Sequence, residues 1–442
     1  MIDLPRDVVF LIQELESAGF EAWAVGGCVR DSLLGLSPHD WDVCTKAKPE
    51  QTLSVFTGRR VIETGIRHGT VTVMLNNAPY EVTTYRTEGA YTDSRRPDSV
   101  SFVTSLKEDL SRRDFTVNAM AYHPQRGLYD DFGGAEDIKN RIIRCVGEAA
   151  TRFTEDALRI MRALRFSATY GFVIEEKTAQ ALHSLKDRLL LIAPERIREE
   201  LMRLIAGAYA ADVLREYAPV LYAVLPELAP MHNHAQFNPY HHLDMWEHTL
   251  QAMAAIPPEP VLRLAMLLHD AGKPACFFRD EKGAGHFFGH SQESFKLAGE
   301  IMARLRFDNQ TRQTVEALVL HHDDDIPAQE KIVLRWLSRI GETRLRQLIA
   351  VKRADVLAQH PDKRESKLRD IAALEACLGG AMQKNLPYRL KNLTITGNDL
   401  AAIGIAPGPQ VGRILHTLLE QVMDGELPNE KEALLKAALQ MI

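Results

Sequence analysis

The chain has 442 residues, of which 45% are hydrophobic and 25% charged, with a formal net charge of −6. That length holds two or more domains with full cores, and the acidic balance excludes a wholesale cationic nucleic-acid coat. The five cysteines form no CxxC pair, which argues against a disulfide framework or zinc ribbon, and no apolar run approaches bilayer length.

The opening "MIDLPRDVVFLIQELESAGF" lacks a basic start and a cleavage site and alternates charge with apolar residues, as an amphipathic helix does. The expectation is a cytoplasmic protein with no membrane partner; oligomeric state stays open. "EAWAVGG", "GTVTVML" and "YEVTTYR", the last following the turn "NNAPY", read as strands. Gly26-Gly27 closes the first of these runs and opens a helix carrying Arg30, an arrangement whose backbone N–H groups suit a triphosphate but which also serves as an ordinary turn. Next comes "SPHDWDV". Read as a strand, it sets Asp40 and Asp42 on one face and Trp41 on the other, toward the core. Two such carboxylates, roughly 6–7 Å apart along a strand, suit a pair of Mg²⁺ ions about 3.5–4 Å apart. A solvated edge strand or a turn is the competing reading. Glu81, opening "EVTTYR", is the candidate third carboxylate.

The Gly-Gly turn, the arginine-bearing helix and the D-x-D strand together resemble the nucleotidyltransferase superfamily that includes DNA polymerase β. Further on, "DLSRRDFTVNAMAYH", "LYDDFGGAEDIKNRIIRCVG", "RFTEDALRIMRALRFSATYGF" and "APERIREEL" follow in order. With the head motifs they resemble the class II tRNA nucleotidyltransferases, that is, CCA-adding enzymes and bacterial poly(A) polymerases, over about residues 20–205. The resemblance implies nucleotide contacts from Gly26, Gly27, Arg30, Arg113, Asp114 and Asn118. It further implies base recognition by Glu155, Asp156 and Arg159, with Arg162 and Arg165 as additional nucleotide-contacting arginines.

The chemistry of that last assignment is specific. Asp156 and Arg159 are three apart and, on one helix, share a face. A carboxylate accepts from an exocyclic amino group while a guanidinium donates to the neighbouring ring nitrogen. Cytosine and adenine both offer that pair. Uracil and guanine place a carbonyl opposite the carboxylate, so a template-free enzyme can select C and A. The loop "RTEGAYTDSRRPDSVSF", residues 86–102, resembles the flexible loop that full CCA-adding enzymes need for the final A.

Beyond residue 150 the β signals almost vanish and helical spacing runs to the end. "HHLDMWEHTLQAM", "RLAMLLHDAGKP", "GHFFGHSQES", "VLHHDDD" and "KRADVLAQH" distribute His and Asp over several helices, as a metal site in a bundle does. Their order resembles the HD phosphohydrolase superfamily over about residues 240–360. That resemblance implies His248, His269, Asp270 and Asp355 as core ligands, and His290 and His321 as extra ligands, with His322 the rival of His321. The metal would be Mn²⁺, Ni²⁺ or Co²⁺, and the activity a 2′,3′-cyclic phosphodiesterase or phosphatase on RNA ends. The tail "LTITGNDLAAIGIAPGPQVGRILHTLLEQVMDGELPN" resembles the tRNA-gripping segment of the class II enzymes, a plain helical hairpin being the alternative.

The expected fold is thus an α+β nucleotidyltransferase head with a small mixed sheet, followed by a long all-α neck, body and tail including an HD-type domain. The expected divisions are a head at 1–145, a base-recognising neck at 146–225, the HD-type domain at 226–378 and a tRNA-binding tail at 379–442. The expected activity is Mg²⁺-dependent addition of CMP and AMP from CTP and ATP to a tRNA 3′ end. A poly(A) polymerase or A-only-adding enzyme is the alternative within the class. Outside it, the alternative is an HD metal phosphohydrolase with a non-catalytic, RNA-recognising head.

Overall fold

The computed structural model describes residues 2–88 and 100–441. The chain divides into two compact units, Met1–Pro226 and Glu227–Ile442.

In the first unit, helix α1 (Arg6–Ser17) buries Val8, Leu11, Ile12 and Leu15, the helical spacing seen in its sequence. The strands are β1 (Ala22–Val25), β2 (Asp42–Thr45), β3 (Val61–Ile62), β4 (Thr70–Leu75), β5 (Ala78–Thr84), β6 (Arg86–Glu88), β7 (Val100–Phe102), β8 (Ala121–His123) and β9 (Gly127–Tyr129). Seven of them form one sheet in the order β3-β4-β5-β2-β1-β8-β9, while β6 and β7 pair separately. Strand β1 lies between β2 and β8, and all four of its residues are buried. That is why "AWAV" is uniformly apolar rather than alternating. Asn76 and Asn77, at φ 50° and 65°, make the two-residue link between β4 and β5 that a tight hairpin requires.

Strand β2 is antiparallel to β1 and parallel to β5, so the sheet is mixed. It begins at Asp42, not at Asp40. Asp40 is exposed in the lead-in, and Trp41 is only half-buried. Val43 and Cys44, both fully buried, anchor the strand in place of the expected Trp41. The expected shared strand face for Asp40 and Asp42 is corrected accordingly: only Asp42 has a register position in the sheet.

The helices after β1 are short: α2 (Gly27–Leu33), α3 (Pro49–Val55), α4 (Leu106–Ser111) and α5 (Gly134–Asn140). The segment expected to be the neck follows as α6 (Ala149–Glu155), α7 (Leu158–Tyr170), α8 (Glu176–Leu185), α9 (Pro194–Ile205), α10 (Ala210–Glu216) and α11 (Ala218–Val224), all within the first unit. The "TEDALR" stretch is not one helix. Asp156 is extended, at φ −136° and ψ 101°, and closes α6, while its carboxylate accepts from the Leu158 N–H at 3.0 Å and so caps α7.

The second unit is almost wholly helical among its described residues. Its longer helices are α12 (Met245–Ala255), α13 (Pro260–Leu268), α14 (His290–Arg304), α15 (Asn309–His321), α16 (Glu330–Ile340), α17 (Glu342–Ala358), α18 (Arg364–Gln383), α19 (Pro409–Met423) and α20 (Lys431–Leu439). A two-stranded hairpin, β10 (Phe278–Arg279) and β11 (Gly285–His286), interrupts them. Helix α13 is buried along nearly its whole length, which fits its "VLRLAMLL" sequence.

Candidate functional site

In the first unit, a cleft of about 460 Å³ opens beside the sheet, lined by Asp42 and Gly27 and by residues of the α4 and neck segments. Seven arginines line it (Arg30, Arg112, Arg113, Arg159, Arg162, Arg165 and Arg196) against three aspartates, Asp42, Asp114 and Asp156. That excess of positive charge suits a triphosphate.

The acidic wall is set by sheet register. Asp42 on β2 is the direct parallel partner of Glu81 on β5. Burial pushes the Asp42 carboxyl up to about 6, with the charges of Glu81 and Asp40 adding to the rise and Arg113 opposing it. Like charge gathered around Asp42 is the chemistry of a divalent-cation site, where it awaits a counter-ion. Sheet register brings Asp42 and Glu81 together, whereas Asp40 stays exposed in the lead-in to β2 and has no register position beside them.

Gly26 explains the tightness of the opposite wall. Its φ is 81°, and a Cβ there would lie 2.7 Å from the Arg113 guanidinium. Only glycine permits both the turn and that approach. Arg113 is held in turn by Asp109, which is fully buried and also accepts from Arg112 at 2.9 Å. Deeper in, Arg30 donates to Asn118 Oδ1 at 2.5 Å, and Asn118 donates to Asp114 Oδ1 at 3.0 Å. Asp114 also accepts from Arg162 at 2.6 and 2.8 Å. Burial alone would push the Asp114 carboxyl up, but Arg162 and Asn118 outweigh it and hold it well below the usual carboxylate range. The Phe166 ring lies under three guanidinium groups: Arg165 at 3.8 Å, Arg30 at 5.1 Å and Arg162 at 5.4 Å. Stacking on one ring fixes these cations in position, and Arg30 also pairs with Asp31 at 2.8 Å. Arg165 also pairs with Glu200 at 2.7 Å.

The pair expected to read the base, Asp156 and Arg159, has a different layout from a shared helix face. Asp156, at the break between α6 and α7, pairs with Arg196 at 2.8 Å. Arg159, in the first turn of α7, donates to Glu155 at 2.7 Å and to the Arg112 carbonyl at 2.9 Å. Glu155 thus holds Arg159, and Arg196 holds Asp156, with both Asp156 and Arg159 at the cleft wall. Arg112, Asp109, Arg196, Glu200 and Phe166 were not singled out from the sequence. The only signal for them was their position inside the quoted motifs, where arginine and glutamate on helices also read as solvated charge. Residues 89–99 of the expected flexible loop lie outside the described residues.

A second constellation occupies the other unit. One ligand atom each from His248, His269, Asp270 and Asp355 lies within 4.8 Å of all the others, and Asp270, His290 and His322 form a second such group. Asp270 is common to both. His269 Nε2 lies 3.1 Å from Asp270 Oδ2, and His248 Nε2 lies 2.8 Å from Asp355 Oδ1. The other ring nitrogens explain the orientation: Nδ1 of His269, His290 and His322 lies 2.7, 3.0 and 2.7 Å from the carbonyls of Met266, Phe287 and Val319. With Nδ1–H donating outward, each Nε2 lone pair faces the cluster, the tautomer a metal needs. Both Asp270 oxygens and His269 Nε2 are buried without a directed hydrogen bond, so they fit a divalent cation. Lys273 Nζ stands 2.6 Å from Asp270 Oδ2.

His321 does not join this group. It ends α15, its Nδ1 is 2.8 Å from Asp324, and its ring packs edge-on against Trp336. Adjacent residues near a helix end point about 100° apart, so His322 takes the inward position expected of His321.

A family model described as the poly A polymerase head domain matches residues 22–144. One described as a probable RNA and SrmB- binding site of polymerase A matches 171–231, and a putative tRNA nucleotidyltransferase domain 2 matches 290–438. The chain is similar to a CCA-adding enzyme of Levilactobacillus brevis, 35% identical over 433 residues, covering 97% of this chain and 96% of the relative. It is also similar to one of Streptococcus thermophilus, 36% identical over 429 residues, covering 96% and 94%. Among solved structures, the Bacillus stearothermophilus CCA-adding enzyme in complex with CTP is 30% identical, with a TM-score of 0.72 over 98% of this chain and 96% of that one. With similarity running the length of both chains, and with Asp42 in the wall of an arginine-lined cleft, this chain belongs to the family of class II CCA-adding enzymes and poly(A) polymerases.

Proposed function

We propose that the chain adds C, C and A, without a nucleic-acid template, to the 3′ end of tRNA, using CTP and ATP in the cytoplasm. The observation that carries this reading is Asp42, the register partner of Glu81, lining a cleft with seven arginines. Asp40, Asp42 and Glu81 fit Mg²⁺, two ions in this reading, which when bound would favour ionisation of the attacking hydroxyl and neutralise the leaving pyrophosphate. Arg113 and Arg30 hold phosphate oxygens, and Asp114 and Asn118 fix the floor under the sugar. The tRNA 3′ oxygen bonds to the α-phosphorus, the bond to pyrophosphate breaks, and the hydroxyl proton leaves to solvent or a carboxylate. Asp156 and Arg159, released from Arg196 and Glu155, read the amino group and ring nitrogen shared by cytosine and adenine. Residues 1–145 act as head, 146–225 as neck, 226–378 as metal-binding body and 379–442 as a tRNA-binding tail. The test offers tRNAs ending before CCA, after C and after CC with each of the four triphosphates. Ordered C, C, A addition that then stops is expected; A addition alone, or runaway A addition, overturns the reading.

A second activity is favoured by the two His/Asp groups that share Asp270. In this HD-type reading, Mn²⁺, Ni²⁺ or Co²⁺ held there would polarise water and phosphate for hydrolysis of a 2′,3′-cyclic phosphate or phosphomonoester. Water oxygen bonds to phosphorus, one ester P–O bond breaks, and the water proton passes to the departing oxygen. No hydrolysis with any of the three metals defeats this reading.

A further inference from the structure

Arg30 reaches the head cleft from α2, and part of what orients it lies outside the cleft lining. Its Nε donates to Asp31 Oδ1 at 2.9 Å and its Nη1 to Asn118 Oδ1 at 2.5 Å, so further N–H groups remain for the cleft that Arg30 lines. The Tyr170 hydroxyl donates to the same Asp31 Oδ1 at 3.0 Å. One carboxylate oxygen therefore meets both the guanidinium and the phenol. The guanidinium carbon also lies 5.0 Å from the Tyr170 ring centroid and 5.1 Å from that of Phe166. Tyr170 thus grips Arg30 twice, by its ring face and, through Asp31, by its hydroxyl.

The grip is itself anchored. The Tyr170 and Phe166 rings stack at 6.1 Å with planes 15° apart, and the buried Phe166 packs edge-on against Phe115 at 5.7 Å. Tyr170 is the last residue of α7, which Gly171 ends in the left-handed conformation at φ 68°. Arginine has many rotamers, so a fixed guanidinium needs its place imposed by neighbours. Position along α7 then separates two roles. Arg159 stands in the first turn, and at 1.5 Å per residue Tyr170 lies roughly 16 Å further along the axis. A change at Tyr170 therefore acts through Arg30, far from the pair Asp156 and Arg159. A tie between α2 and α7 that served stability alone would leave nucleotide affinity unmoved.

We propose that Tyr170 and Asp31 are positioning residues for the triphosphate: they set the Arg30 guanidinium against the phosphate chain and so tune affinity for every nucleotide equally, with no part in base choice. The proposal rests on the triphosphate reading of the cleft and extends it to two residues outside the lining. Its test uses the full chain with Mg²⁺ and tRNAs ending before CCA and after CC. Y170F keeps the ring and removes the hydroxyl. It should raise KM for CTP and ATP alike by about fivefold, with kcat nearly unchanged and no incorporation of UTP or GTP. Inorganic tripolyphosphate, which has neither base nor sugar, should bind Y170F more weakly by the same factor in calorimetry. D31N should weaken it at least as much, and Y170F/D31N no further than D31N alone, because the phenol acts through that carboxylate. Additive losses in the double variant overturn the proposal, as do a KM change confined to one nucleotide or new incorporation of UTP. A lower melting temperature of Y170F with unchanged tripolyphosphate affinity makes the contact a structural tie and overturns it too. Tripolyphosphate binding needs no chemistry, so the two levels separate. A wild type that binds it with this Tyr170 dependence but transfers neither CMP nor AMP removes the transfer reading alone. Transfer by the wild type, with tripolyphosphate affinity unchanged in Y170F, removes the positioning role alone.

Discussion

The two candidate centres are built on opposite electrostatic plans. The head cleft collects guanidinium groups and holds them by stacking on Phe166 and by carboxylate partners, while Asp42 in its wall meets the like charge of Glu81 on the neighbouring strand. The second centre instead converges imidazole lone pairs on the buried Asp270, only 1% exposed, and the half-buried Asp355. A wide cationic cleft suits a large, highly charged ligand that must enter and leave at every turn. A buried His/Asp cluster suits a small cation that stays. The difference shows how one chain can separate an exchanging substrate charge from a resident one.

The comparison breaks most sharply at Asp42. Asp42→Ala is expected to lower CMP and AMP transfer by about three orders of magnitude, since it removes the carboxylate that faces both Glu81 and the cleft. Primer-extension gels measure this, and tRNA binding by gel shift should persist. Transfer within tenfold of wild type would remove the acidic wall from the mechanism. The counterpart in the second centre is Asp270→Ala. Because Asp270 belongs to both ligand groups, this change should lower Mn²⁺ affinity by about 100-fold at both positions. His290→Ala should weaken only the group that contains it. Elemental analysis after dialysis distinguishes the two, and equal losses would contradict a shared bridging carboxylate.

A third change probes how the cleft holds its charge. Arg162→Ala leaves Asp114 buried beneath Asn118 without its main cation, and should cost about 3 kcal/mol of stability in denaturant unfolding. Asp114→Asn in the same background should recover part of that loss, because it removes the stranded charge. No recovery would mean that Arg162 contributes by packing on Phe166 and not by pairing.

Much of the head was readable because its signals are local. The apolar run of β1, the Asn-Asn turn and the order of motifs each specify a short piece of structure, and the mixed sheet followed by helices came out as expected. What stayed hidden depends on pairing between distant residues or on small rotations. Glu81 became the partner of Asp42 only through the parallel β2–β5 register, which no local pattern encodes. Asp156 was read as helical from its three-residue spacing to Arg159, yet its short carboxylate competes for a backbone N–H and ends the helix instead. His321 and His322 are chemically identical in the sequence, and only the rotation of α15 against its neighbours separates them. Arg112, Arg196 and Glu200 look like solvated helix charges until the cleft is assembled around them.

The smallest expected effect concerns protons. Asp42 is pushed up to about 6 in the folded chain from the ordinary 3.8 of an aspartate, raised by burial, by Glu81 and by Asp40. A carboxylate must be ionised to hold a cation, so the Mg²⁺ affinity of the head should fall as pH drops through about 6. Glu81→Gln removes one repelling charge and should move that midpoint downward, as measured by Mg²⁺ titration at a series of pH values. The same shift has a stability consequence of opposite sense. Between the unfolded and folded values the native state binds more protons than the unfolded one, so metal-free stability falls as pH rises through this window. The repulsion is then fully expressed at neutral pH. Asp42→Asn should therefore stabilise the metal-free protein at pH 7.5 by on the order of 1 kcal/mol, and the gain should disappear below about pH 4. A site that is more stable without its carboxylate, yet inactive, is one whose charge is kept for its ligand and not for its fold.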